Sequence, residues 1–77
     1  MRKPSKSRHR DAAKLHARRA REHDAAAREW IRRGDSVRAG FEQRAARLER
    51  ELAELERDHA EHVGRGHPAA PSAAGKT

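Results

Sequence analysis

The sequence predicts an all-α chain, an antiparallel two-helix hairpin of coiled-coil character with disordered N- and C-terminal tails. Three observations carry this. Residues 9–33 contain no Gly or Pro and are rich in Ala, Arg and Glu, all good helix formers. Gly34-Asp35-Ser36 then interrupts the pattern with turn and capping chemistry. Beyond the break, Phe41, Ala45, Leu48, Leu52, Leu55, His59 and His62 alternate at spacings of four and three, as a coiled-coil seam does.

The elements follow in order. Residues 1–8 form a basic segment with Pro4 and no apolar anchor, and read as a disordered tail. Ser7 or Asp11 can accept the orphan N–H bonds that open a first helix over residues 9–33. Gly34 suits the left-handed position past a helix end, where Arg32 and Arg33 complement the dipole. Residues 34–36 are the turn, with Asp35 or Ser36 capping a second helix over 37–63. In that helix Gly40 costs up to about 1 kcal/mol relative to Ala, unless it permits close backbone approach beside Trp30. Residues 64–77, rich in Ala, Pro, Gly and Ser, read as a second disordered tail.

The first helix carries a smaller seam of Ala13, His16, Ala20, His23, Ala27 and Trp30. A tight turn makes the helices antiparallel, with expected partners whose numbers total about 71. Trp30 would meet Phe41, Ala27 Ala45, His23 Leu48, Ala20 Leu52 and His16 Leu55, small facing large at several levels. A basic-zipper rod is disfavoured, since the turn interrupts it and the leucines occupy only three seam positions.

Composition bounds the function. The chain has 77 residues, enough for one small domain at most. Only nine large apolar side chains lie beyond Met1, so a thin core predicts association with a partner, either a second copy in a homodimer or a helical protein. Lys and Arg number 19 against 12 acidic residues, for a net charge of +7. GC-rich codons explain much of the preference for Arg over Lys. They do not explain the net charge, which implies attraction to nucleic acid, anionic lipid or acidic protein. Cysteine is absent, which excludes disulfides and thiolate chemistry. The basic start has no following apolar run, so no secretory signal is read and a cytoplasmic location is expected.

The charge is segregated. Residues 1–33 hold 12 basic and 4 acidic groups, net +8, whereas residues 34–77 hold 7 and 8, net −1. Arg10, Lys14, Arg18, Arg21, Arg28 and Arg32 follow helical spacings along one side of the first helix, expected opposite the seam. With Arg2, Lys3, Lys6 and Arg8 as a flexible arm, they form the expected nucleic-acid-binding set, contacting DNA or RNA through phosphates without sequence reading. The bland alternative is a solvated basic face. No aromatic residue lies in the stripe, so base stacking is not supported. The rival function is a protein-interaction module docking its seam onto a larger complex. A membrane-surface role is disfavoured by the poor apolar face of the first helix.

Two further patterns stand out in the spacing. Glu56 and His59 give a Glu-x-x-His spacing with His62 three residues on, and His9 and His16 fall near that end of a hairpin. The first helix supplies no matching carboxylates, so no metal and no cofactor is expected, and seam or surface histidines are the default reading. His16 and His23 in an apolar seam would resist charging, so folding would weaken in acid. Ala39, Ala46, Ala53 and Ala60 recur every seven residues on the second helix, off its leucine seam, and suit either self-association or simple helix propensity. The serines fall in tails or at the cap, and no Gly-rich phosphate loop or enclosed pocket is available. An enzyme and a small-molecule substrate are therefore not expected.

Overall fold

A computed structural model of the chain describes residues 6–64. It contains two α-helices, α1 (Lys6–Arg32) and α2 (Ser36–Gly64), packed antiparallel, with no strand among the described residues. The expected tails at 1–8 and 64–77 lie largely outside the described residues. Of the N-terminal segment, Lys6, Ser7 and Arg8 are already helical, and the expected caps Ser7 and Asp11 sit inside α1. After Pro4 nothing in the sequence opposes a helix until Gly34.

The turn follows from its residues. Gly34 has φ +81°, the left-handed region that costs a Cβ-bearing residue roughly 1–2 kcal/mol. Its N–H donates to the Ile31 carbonyl at 2.9 Å, and the Asp35 N–H donates to the Trp30 carbonyl at 2.9 Å. These two bonds form a Schellman closure, satisfying carbonyls that the end of α1 would otherwise leave without partners. Asp35 then caps α2: its carboxylate accepts from the Arg38 N–H at 2.9 Å, and its carbonyl accepts from the Ala39 N–H at 3.1 Å. Gly40, by contrast, makes no close approach to anything, since a Cβ built there meets no atom within 4 Å.

The core departs from the expected seam. The buried apolar residues are Ala13, Ala20 and Ala27 of α1 and Ala39, Ala46, Ala53 and Ala60 of α2. Every one is an alanine, and each row repeats at seven residues. The alanine row weighed as a self-association stripe is thus the hairpin's own interface. Methyl groups on both sides let two helices approach closely along their length, which leucines would prevent by bulk. The α1 half of the expected seam holds at Ala13, Ala20 and Ala27. The α2 half does not: Phe41, Leu48, Leu52 and Leu55 are 57, 60, 42 and 49% exposed. The expected pairings with a total near 71 are replaced by a register six lower, in which Trp30 does not face Phe41 and His16 does not face Leu55. One periodic pattern won because small residues stand in matching heptads on both helices.

Candidate interaction surfaces and the histidine–glutamate ladder

Three surfaces flank the alanine seam. On one side runs a ladder of three matching rungs. His9 Nδ1 lies 2.6 Å from Glu56 Oε1, His16 Nδ1 2.6 Å from Glu49 Oε1, and His23 Nδ1 2.7 Å from Glu42 Oε1. The histidines repeat every seven residues on α1 and the glutamates every seven on α2, and the two numbers in each rung total 65. The rungs fix the register that the alanines make possible. The hydrogen bond from His9 holds the Glu56 carboxyl below its ordinary range, against an opposing effect of desolvation, and the charges of His9, His59 and His16 act in the same direction as the bond.

His16 and His23, expected among leucines, each meet a carboxylate of α2 instead.

The other side of the seam holds the basic stripe. Arg10 and Lys14 line a shallow groove between the helices with Ala13, Ala17, Glu54, Arg57, Asp58 and Glu61. Arg21 lines its continuation, where Arg50 Nη1 donates to Asp24 Oδ2 at 3.0 Å across the interface. Arg10, Lys14 and Arg21 thus border the grooves beside the seam, where α2 supplies acidic side chains, while Arg18, Arg28 and Arg32 line neither groove. Lys6, Arg8, Arg10, Lys14, Arg18, Arg21, Arg28 and Arg32 are all solvent-exposed. Arg32 is engaged by Glu29, which Arg33 also bonds at 3.0 Å. Hydrogen bonding and charge from Arg32, then the hydrogen bond from Arg33, hold the Glu29 carboxyl below its ordinary range. Arg2 and Lys3 lie outside the described residues.

The third surface is the outer face of α2, where Phe41, Leu48, Leu52 and Leu55 form an apolar row. Arg44 stands 5.1 Å over the Phe41 ring, while Trp30 near the turn is flanked by Arg38 at 4.7 Å and Arg33 at 5.3 Å. Sequence reasoning found this row but assigned it to the interior. The signal it missed was the pair of matched heptads, histidine against glutamate and alanine against alanine.

Comparison adds no relative. No protein-family model, curated protein or solved structure matches the chain. No helix among the described residues is long and apolar enough to cross a membrane.

Proposed function

We propose that the chain is a small, non-catalytic, cytoplasmic assembly module whose working surface is the outer face of α2. A single observation carries this reading: among the described residues the hairpin buries only alanines, while its largest aliphatic row, Leu48, Leu52 and Leu55 with Phe41, stays exposed. A contiguous exposed apolar row of this kind marks an interaction site. The occupant is a second copy. Arg44, Glu51 and Asp58 recur every seven residues along one edge of the row. When two copies of α2 pair antiparallel about Leu48, Arg44 of each lies opposite Glu51 of the other. The complementary charges therefore form twice across a two-fold axis.

Sedimentation of the full chain across a concentration series tests this. A concentration-dependent dimer is expected, and Leu48→Gln with Leu52→Gln should give a helical monomer. Arg44→Glu should weaken the dimer, and adding Glu51→Arg should restore it. A wild-type chain that stays monomeric at its solubility limit overturns the reading.

A separate observation favours a second reading, binding of nucleic acid through phosphates. Arg18 and Arg28 are solvent-exposed and line neither groove beside the seam, and Lys6, Arg8, Arg10, Lys14 and Arg21 extend the same basic helix. Such a surface gives salt-sensitive affinity by counterion release. Titration against duplex DNA and structured RNA at ~50 and ~200 mM salt should show affinity falling by orders of magnitude. Charge reversal at Arg18, Arg21 and Arg28 should abolish it with the helices intact. Absence of binding at the lower salt ends this reading. Arg10 and Lys14 contribute least, because Glu54, Asp58 and Glu61 share their groove.

A further inference from the structure

The open end of the hairpin carries a feature that the other two rungs lack. In each rung a histidine of α1 meets a glutamate of α2. Three residues beyond that glutamate, on the same helical face, stands Ala45 in the rung nearest the turn, Leu52 in the middle rung and His59 in the last. Only the last rung therefore has a third ligand-bearing side chain. Its rings are drawn together: the His9 and His59 centroids are 5.1 Å apart at an interplanar angle of 35°. One donor atom from each of His9, Glu56 and His59 can be chosen so that all three lie within 4.8 Å of one another.

We propose that His9, Glu56 and His59 form a binding site for a divalent first-row transition ion of the zinc class. Two imidazole nitrogens and one carboxylate oxygen are the donor set that zinc and its neighbours take. Calcium and magnesium favour sites built from oxygen alone. Bonds of about 2.0–2.2 Å in a tetrahedral arrangement put donors roughly 3.3 Å apart. The His9–Glu56 pair, at 2.6 Å, opens slightly, and the exposed His59 ring closes in. The proton shared by His9 and Glu56 leaves to solvent as the ion takes its place. Solvent completes the coordination.

The site spans the two helices at the end farthest from Gly34, with His9 and Glu56 separated by 47 positions in sequence. Binding there ties the termini of the hairpin together and stabilises the folded state by mass action. The sequence reading placed His9 and His16 near this end but expected no metal, because the first helix offers no matching carboxylates; it is His9 that meets Glu56 and His59 here.

The test uses the full chain free of any histidine tag. Zinc is titrated by calorimetry and cobalt by visible absorption at pH 7.5, with helix content followed by circular dichroism. One ion per chain is expected, with a raised thermal midpoint and a tetrahedral cobalt spectrum. His59→Ala, at an exposed position, and Glu56→Gln should each weaken binding at least tenfold. His23→Ala removes a rung that lacks the third ligand and should leave the metal affinity unchanged. The proposal is overturned by the absence of saturable zinc binding, by half an ion per chain, or by binding that survives both His59→Ala and Glu56→Gln.

Discussion

His16 of α1 and Glu49 of α2 meet 2.6 Å apart at the middle of the hairpin, each side chain only 18% exposed. They form the best-shielded rung of the ladder, and the shielding decides how much the rung stabilises. Exposed ion pairs contribute little because water screens them and both side chains lose rotamer freedom. A partly buried hydrogen bond with a charged partner contributes more. A double-mutant cycle of His16→Ala and Glu49→Ala, read by urea unfolding, should give a favourable coupling of about 0.5–1.5 kcal/mol. A coupling of zero would mean that the rung records proximity and not attraction.

The two glycines should respond in opposite directions. Gly34 has positive φ, so Gly34→Ala should destabilise by roughly 1–2 kcal/mol although the added methyl meets open space. Gly40 is helical and equally uncrowded, so Gly40→Ala should stabilise by up to about 1 kcal/mol. Thermal midpoints of the two variants check the contrast. A destabilised Gly40→Ala would reveal a close neighbour that the fold does not show.

Glu29 ties the end of α1 together by accepting from Arg32 and Arg33, and those partners hold its carboxyl below the usual value of 4.5. The sign follows from linkage. A carboxyl depressed in the folded state stabilises the fold above its unfolded pKa, and that contribution fades as pH falls through the folded value. The wild-type midpoint should therefore decline more steeply below about pH 4.5 than that of Glu29→Gln. Parallel curves for the two proteins would show that the Arg32 and Arg33 contacts carry no net stability.

Much of the architecture was legible in the sequence because it rests on local chemistry. Gly34 and Asp35 announce a left-handed helix end and a cap wherever they stand together, and both do what their residue types dictate. Ala13, Ala20 and Ala27 were identified as the inward row of the first helix. The second helix was misread because it carries two heptad rows, one of leucines and one of alanines. Hydrophobicity alone ranks the leucines first. What decides the matter is shape shared between helices: an alanine row packs closely only against another small row, and Ala13, Ala20 and Ala27 supply one. The histidine and glutamate heptads repeat the same message in charge. That coupling is a property of two helices together and is invisible when each is read alone.

The claim on which the rest depends is that α2 turns its alanines inward and its leucines outward. Ala46 is 0% exposed, whereas Leu48 two residues on is 60% exposed. The direct test compares the unfolding free energies of Ala46→Leu and Leu48→Gln, measured at dilutions where the midpoint no longer depends on protein concentration. Ala46→Leu should overpack the interface and cost about 1–3 kcal/mol. Leu48→Gln should change the dilute monomer by no more than about 0.5 kcal/mol. The opposite order, with Leu48→Gln the damaging change and Ala46→Leu neutral or stabilising, would place the leucines, not the alanines, at the centre of the hairpin.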